Sequence, residues 1–342
     1  MSLSSAHRRL GWPTPEQILH PTGAGPKVFA RLAAEKIGKS IQRFPGGAGV
    51  KVGVLTGNPE SDSTEAPVGI VCEFTSNVPV ETLWEAHRLA WNFCRCPLLL
   101  TLEANMVRAW TCCEPPSDRE SAESMSQVVE LHDLSQQVVS ASEQAAQSLH
   151  WVELMTGSFF RKHPDRFQRE RRADEMLLSN LGYVRTELKR LKLDSDTTHD
   201  LLARIIFIQF LIDRKDSEGV PALNEPMLQQ LRKEGTLHQD YTTLSEILLD
   251  HADTYRLFRW LNSKFNGDLF PGKGATPQEQ EAEWRAEMAK VEESHLKLLA
   301  DFVAGRLHMS KGQGSLWPLY SFDAIPLEFI SSIYEMFVGT DA

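Results

Sequence analysis

The hydrophobic pattern divides the chain into a first part that mixes short strands with helices and a second part that is helical almost throughout. Apolar residues about four apart predict a helix over 28–44, and a second helix is predicted over 79–93. Short apolar runs predict four strands, at 50–55, 68–74, 97–103 and 106–112. This order is compatible with helices packed over one twisted sheet.

The composition shifts around Glu114-Pro115-Pro116-Ser117, which predicts a boundary between domains spanning 1–118 and 119–342. Residues 122–149 contain no proline or glycine, and their apolar spacing predicts one long amphipathic helix. The segment 198–213 is apolar nearly all round, so we expect it to form a central, buried helix. The second domain is therefore predicted to be all-α.

The last helical segment carries one apolar stripe. Asp323 can cap its entry turn, and Pro326 suits the first turn of a helix because it lacks an N–H group. The members of the stripe are Phe329, Ile330, Ile333, Met336 and Phe337. Such a stripe usually packs on the protein's own core. The alternative is an exposed docking site for a partner chain.

The net charge of −10 indicates that any contact with nucleic acid must come from a local basic face. The segment 158–192 is the most basic part of the chain, although acidic residues are interleaved with the basic ones. Its candidate DNA-binding residues are Arg161, Lys162, Arg166, Arg169, Arg171, Arg172 and Lys189. They form either a solvated helical face or a stripe that contacts phosphates by displacing counterions.

Cysteine usage and hydropathy favour a cytoplasmic protein. The five cysteines are an odd number in a chain whose first 13 residues lack an apolar signal core, so we expect reduced thiols and no secretion. A C-x2-C spacing is absent, and small buried cysteines are favoured over a metal site. No apolar run is long enough to span a bilayer, so no membrane partner is expected.

Several separate runs resemble one family in its own order. Tyr320-Ser321-Phe322, Ile325-Pro326-Leu327-Glu328 and the run from Ile330 to Glu335 resemble the segment that precedes the catalytic domain of large bacterial adenine-N6 DNA methyltransferases. These include the fused type II restriction–modification enzymes of the IIG group. Similar runs lie at 89–100, 174–181, 204–214 and 265–270, so the resemblance covers most of residues 80–337.

The resemblance implies an α+β fold in which a small restriction-nuclease-like α/β domain precedes a larger all-α helical connector. The order of elements in the first domain also fits the PD-(D/E)xK nuclease core, whose carboxylates hold Mg²⁺. The best alignment uses Asp62 and then Glu73-Phe74-Thr75, with Glu35 as a third acid. Threonine replaces the lysine of that pattern, so the nuclease motif is incomplete.

The catalytic parts of a methyltransferase are missing from this sequence. The only Pro-Pro pair is Pro115-Pro116, and no Asn/Asp-Pro-Pro-Tyr/Phe tetrapeptide or strand-following glycine loop for S-adenosylmethionine is present. The resemblance therefore implies a front end whose methyltransferase core is absent or encoded separately. Arg204, Asp213 and Arg214 are expected to form an internal ion-pair set, and the run 265–270 a structural turn.

The expected function is a non-catalytic DNA-engaging or scaffold subunit of a restriction–modification or phage-defence system. Its expected partners are DNA and a separately encoded methyltransferase, and S-adenosylmethionine would enter only through that partner. One alternative is a divergent Mg²⁺-dependent endonuclease that uses Glu35, Asp62 and Glu73. Another is a truncated relic of a restriction–modification enzyme.

Overall fold

The computed structural model describes residues 1–19, 27–57, 67–117, 127–132, 139–216, 218–265, 269–309 and 314–339. Contacts divide the chain into two compact units: unit 1 is Met1–Met176 with Ala324–Pro326, and unit 2 is Leu177–Asp323 with Leu327–Ala342. The boundary predicted after residue 118 lies inside unit 1. Side chains beyond that point, such as Leu154 and Phe159, belong to a core on the sheet of unit 1.

Unit 1 is built on a five-stranded mixed sheet in which neighbouring strands follow each other along the chain. The strands are β1 Lys51–Leu55, β2 Gly69–Glu73, β3 Leu98–Glu103, β4 Met106–Thr111 and β5 Gln127–His132. β2 and β3 are parallel, whereas the other three pairs are antiparallel. Strands in parallel need a crossover connection, and a helix provides it here.

The helices of unit 1 pack on both faces of this sheet. They are α1 Leu3–Leu10, α2 Pro15–Leu19, α3 Lys27–Ala33, the crossover helix α4 Val80–Asn92, α5 Val139–Ser148, α6 Trp151–Met155, α7 Ser158–Lys162 and the first turn of α8 Ala173–Arg190. A π-helical turn, Ala34–Gly38, and a short turn, Lys39–Ile41, extend α3. The four predicted strands and the helix predicted at 79–93 are confirmed.

Alternation along the strands sends neighbouring side chains into two separate cores. Ile70 and Cys72 of β2 pack with α3 and α4 on one face. Val71, the residue between them, packs with α1, α2, α6 and α7 on the other face. Because both faces are covered, β2 and β3 read as continuous apolar runs rather than alternating ones.

The long helix predicted over 122–149 is wrong. Residues 127–132 form β5, which pairs with β4 in an antiparallel ladder, and the helix begins only at Val139. Strand β4 offers an unpaired edge of backbone donors and acceptors, and the β-branched pair Val128-Val129 suits a strand. Pairing with that edge overrides the helical spacing of the apolar residues.

Unit 2 is helical among the residues that the structure describes, apart from isolated bridges. Its helices are the remainder of α8, α9 Ser195–Asp213, α10 Glu225–Lys233, α11 Leu244–Leu248, α12 His251–Phe265, α13 Pro277–Lys290, α14 Glu293–Val303 and α15 Leu327–Gly339. Asp194, Asn224, Thr243 and Thr276 cap the starts of α9, α10, α11 and α13 through their side chains. The prediction of a buried helix at 198–213 is confirmed in α9.

The buried Arg204 of α9 organises a polar centre inside unit 2. Its guanidinium donates to both carboxylate oxygens of Glu287, at 2.5 and 3.0 Å, and to the carbonyl oxygen of Leu269. Its Cζ also lies 5.4 Å from the ring centroids of both Phe258 and Phe270. The expectation of an internal ion pair is confirmed for Arg204, but its partner is Glu287 rather than Asp213. Residues 266–268 of the expected turn lie outside the described residues.

The architecture confirms the mixed α and β composition, with a sheet in the first part and helices in the second. Across the described ranges, no helix combines the length and apolar character that crossing a bilayer requires.

Candidate nucleic-acid interface

The basic segment of unit 1 follows α7 and consists of two short 3-10 turns, Pro164–Arg166 and Arg169–Arg171. Two of its arginines share one buried carboxylate. Arg166 donates to both carboxylate oxygens of Glu114, each at 3.3 Å, and Arg171 donates to Oε1 of the same carboxylate at 3.1 Å. The Thr111 hydroxyl also donates to the carbonyl oxygen of Arg166. These contacts attach the basic segment to the end of β4.

Arg172 is a second anchor of the same segment. Its guanidinium donates to the carbonyl oxygen of Cys94, at 2.6 Å, and to the carboxylate of Asp174, at 3.1 Å. The indole N–H of Trp91 donates to the carbonyl oxygen of Arg171. Three of the predicted DNA-binding residues, Arg166, Arg171 and Arg172, therefore hold the segment in place. This structural role could not be predicted from the pattern of basic and acidic residues in the sequence.

The other basic residues of this region are exposed and pair only with surface groups. Lys162 lies 2.6 Å from Glu153, and Arg169 lies 3.1 Å from Glu175 with 78% of its side chain exposed. Arg161 donates to the carbonyl oxygen of Thr156. Exposed ion pairs contribute little free energy, so these cations can exchange their carboxylate partners for phosphates.

Lys162 lines a depression whose other basic wall comes from the first helix of the chain. This basic depression has a volume of about 400 Å³ and is lined by Arg9, Ala146, Gln147, His150, Val152, Glu153 and Lys162. Arg9 lies in the last turn of α1, where His7, Arg8 and Arg9 follow each other. Sequence reasoning missed this run, although three consecutive basic residues at a helix end were its signal.

Gly11 makes the close approach of α1 to His150 possible. It ends α1 in the left-handed conformation, with φ of 67°, and a Cβ at this position would lie 3.0 Å from His150 Nε2. His150 Nδ1 accepts the Val152 N–H, so the proton of the neutral ring is on Nε2. His150 is itself one of the residues that line the basic depression.

Two cations of this region act on His163. His163 precedes the first 3-10 turn, and its pKa is lowered by burial and further by the charges of Arg166 and Lys162. Lys189 lies on the part of α8 that belongs to unit 2. The candidate interface therefore comprises Arg9, Arg161, Lys162 and Arg169, with Arg166, Arg171 and Arg172 as its supports.

Of the three candidate nuclease carboxylates, the structure describes Glu73 and Glu35, and each lies close to a lysine. Glu73 accepts the backbone N–H of Leu3 through one oxygen, at 2.9 Å, and its other oxygen lies 3.2 Å from Lys51 Nζ. Glu35 is exposed and lies 3.8 Å from its neighbour Lys36. Asp62 lies outside the described residues. Within those residues, no three His, Cys, Asp or Glu side chains come together as a metal site.

The cysteines lie in unit 1 with free thiols. Cys72, Cys96, Cys112 and Cys113 are buried, and Cys94 is half-buried. Burial raises the pKa of the Cys72 thiol to about 12 and that of Cys113 to about 11. Because the thiolate is the nucleophile and the metal ligand, burial disfavours the reactive form of Cys72 and Cys113.

The apolar stripe of α15 faces partly into the protein. Ile330 and Ile333 are buried, Phe329 is half-buried, and α15 packs on α9. The side chains of Met336 and Phe337 lie outside the described residues. The hypothesis that the whole stripe is an exposed docking site is therefore wrong for Ile330 and Ile333, because they already belong to the core.

Comparison with family models gave no match for this chain. Comparisons with curated proteins and with solved structures gave no match either.

Proposed function

We propose that this chain is a non-catalytic DNA-engaging subunit of a restriction–modification or phage-defence system, acting beside a separately encoded adenine-N6 DNA methyltransferase. The observation that carries the proposal is the basic depression, where Arg9 of α1 and Lys162 of α7 line one cavity of unit 1. Its supports are the motif runs that resemble the front end of such methyltransferases.

The basic segment suits a contact with the DNA backbone because its parts have separate roles. Glu114 and the carbonyl oxygen of Cys94 hold Arg166, Arg171 and Arg172 in place. Preorganised turns lose little conformational freedom on binding. Arg161, Lys162 and Arg169 remain exposed. Phosphates that replace their weak carboxylate partners release counterions, which makes binding sequence-independent and dependent on salt.

The methyltransferase partner is proposed from the resemblance of residues 80–337. On this proposal the partner supplies the S-adenosylmethionine site and the base-binding tetrapeptide, whose residues this sequence lacks. Exposed apolar groups at the start of α15 suit contact with another chain, since Leu327 is 57% exposed and Phe329 is half-buried. A methylation assay with the purified methyltransferase, with and without this chain, tests the partnership. Equal rates and equal DNA affinity would exclude it.

DNA binding is tested first on the intact chain with a labelled duplex in a fluorescence anisotropy titration. We expect the double variant Arg9→Ala/Lys162→Ala to bind duplex DNA several-fold more weakly, because both cations leave the same depression. Arg232→Ala/Lys233→Ala is the matched control, as it removes the same charge from exposed positions of α10 in unit 2. Equal losses in both double variants would mean that only net charge matters.

The nuclease alternative makes a different prediction in the same assay. A nuclease built on Glu73 would cut DNA in the presence of Mg²⁺ and would lose cutting when Glu73 is changed. In the structure both carboxylate oxygens of Glu73 contact groups of the protein, the Leu3 N–H and Lys51, which favours a structural role for this residue. A relic would bind neither DNA nor a partner.

A further inference from the structure

We propose that a partly exposed patch of aromatic and basic side chains in unit 2 binds single-stranded nucleic acid. This aromatic patch comprises Phe207, Phe210 and Arg214 of α9 and Lys264 and Phe265 at the end of α12. Positions 207, 210 and 214 are three and four residues apart and so lie on one face of α9. The patch is in the unit that does not contain the basic depression, and the inference does not depend on duplex binding.

Two ring contacts build the patch. The rings of Phe207 and Phe265 meet edge to face, with centroids 5.3 Å apart and planes at 87°. Phe265 is 47% exposed, so much of its ring surface faces solvent. The guanidinium of Arg214 lies over the ring of Phe210, 5.2 Å from its centroid. The structure therefore presents aromatic surface beside a cation that already stacks on a ring.

The charge around the rings favours a nucleic-acid strand over an apolar protein segment. Arg214 and Lys215 follow the end of α9, Lys264 directly precedes Phe265 on α12, and all three side chains are exposed. A single strand offers both complementary groups, since its bases stack on aromatic rings and its phosphates pair with cations. Bases inside an intact duplex are already stacked on each other, so the patch suits unpaired strands.

The acidic residues closest in sequence to Arg214 are held by donors of the protein itself. Asp213 accepts hydrogen bonds from the Gln209 amide and from the backbone N–H of Phe322. Asp216 accepts the backbone N–H groups of Glu218 and Val220. Both carboxylates therefore accept hydrogen bonds from donors of the protein, and the Arg214 guanidinium lies over the ring of Phe210.

The test uses the full chain and a labelled oligothymidylate, followed by fluorescence anisotropy. Phe265→Leu keeps an apolar side chain but removes the flat ring, and we expect about tenfold weaker binding of the strand. Phe265→Trp restores a stacking surface and should bind at least as tightly as the wild type. Arg214→Ala should weaken binding and reduce the slope of log K against log salt by about 0.7.

Leu249→Ala is the matched control, because Leu249 is another exposed apolar residue of unit 2, at 56% exposure. It should bind the oligonucleotide as the wild type does, and thermal unfolding of each variant checks that the fold is intact. Wild-type affinity in Phe265→Leu, or failure of Phe265→Trp to restore binding, would overturn the inference. A chain that binds duplex but no oligothymidylate would also overturn it and leave the proposed function standing. Strand binding without duplex binding would do the reverse.

Discussion

At the scale of single residues, the arginines of the basic segment have two roles. An arginine paired with a buried carboxylate supports the fold, whereas one paired at the surface is available to a ligand. Arg166 and Arg171 share Glu114, which is buried, and removing a partner from such a pair is costly. Arg169 pairs with Glu175 at the surface, where an ion pair contributes little. The first two arginines are therefore structural, and the third is available to a ligand.

Glu73 illustrates how a carboxylate at the end of a strand can serve the fold. We expect Glu73→Ala to lower the free energy of unfolding by about 1–2 kcal/mol, because the Leu3 N–H loses its acceptor and Lys51 its partner. Urea denaturation measures the change. DNA affinity should be unaltered, since Glu73 is not among the residues of the basic depression.

Glu35→Ala is the control for this prediction, as Glu35 is exposed and its only described ion pair is with Lys36 at 3.8 Å. Its effect on stability should stay within about 0.5 kcal/mol. A Mg²⁺-dependent cutting activity that disappears in Glu73→Ala, with the fold retained, would replace the structural role of Glu73 with a catalytic one.

At the scale of elements, α4 is joined to the sheet by a histidine that must stay neutral. His87 is buried, its Nε2 lies 2.7 Å from the Thr111 carbonyl oxygen, and its ring stacks near Trp110. Burial lowers the pKa of His87 to about 4; the hydrogen bond to Thr111 opposes this shift, and the charge of Arg166 adds to it. The lowered pKa makes the packing of α4 sensitive to acid.

The direction of this pH dependence follows from the protonation of His87 in the folded and unfolded states. An unfolded histidine has a pKa of about 6.5, so below that pH the unfolded chain binds a proton that the folded chain excludes until about pH 4. We therefore expect the free energy of unfolding to fall by about 2 kcal/mol between pH 7 and pH 5 from this residue alone. Urea unfolding at the two pH values measures it.

His87→Gln keeps an N–H donor for the Thr111 carbonyl without a titrating group, and it should remove this part of the pH dependence. His308→Gln is the control, because His308 is exposed. The prediction fails if His87→Gln and the wild type lose the same stability between the two pH values.

At the scale of the whole molecule, a chain with a net charge of −10 can bind DNA only where its cations are concentrated. The distant ends of unit 1's sequence meet in the basic depression, since Arg9 and Lys162 are far apart along the chain but line one cavity. Long-range repulsion from the remaining surface acts on any such complex and is screened by salt.

The salt dependence of duplex binding therefore reports the number of cations that contact phosphates. We expect Arg9→Ala/Lys162→Ala to reduce the slope of log K against log salt by about 1.8, at about 0.9 for each lost contact. The measurement is a series of anisotropy titrations over a range of salt concentrations. Arg232→Ala/Lys233→Ala should leave the slope unchanged, and an equal reduction in both would show that Arg9 and Lys162 do not contact phosphates.

The pattern of apolar residues was sufficient to predict the helices and strands whose packing partners are close in sequence. The four strands from Lys51 to Thr111, the crossover helix α4 and the buried helix α9 all follow from local spacing and length. β5 could not be predicted in this way, because its apolar spacing also fits a helix. Residues 127–132 form a strand because they pair with the free edge of β4, and that edge exists only in the folded sheet.

Composition and local spacing are enough to locate the basic segment, to show that the motifs of methyl transfer are missing and to predict that α9 is buried. The fold determines which arginines are held by a buried carboxylate and which pair only at the surface, because that depends on the position of Glu114, which precedes Arg166 by many residues. It also brought Arg9 to Lys162 and turned Ile330 and Ile333 inward. Electrostatic partners and burial are properties of distances in space, which one-dimensional spacing does not contain.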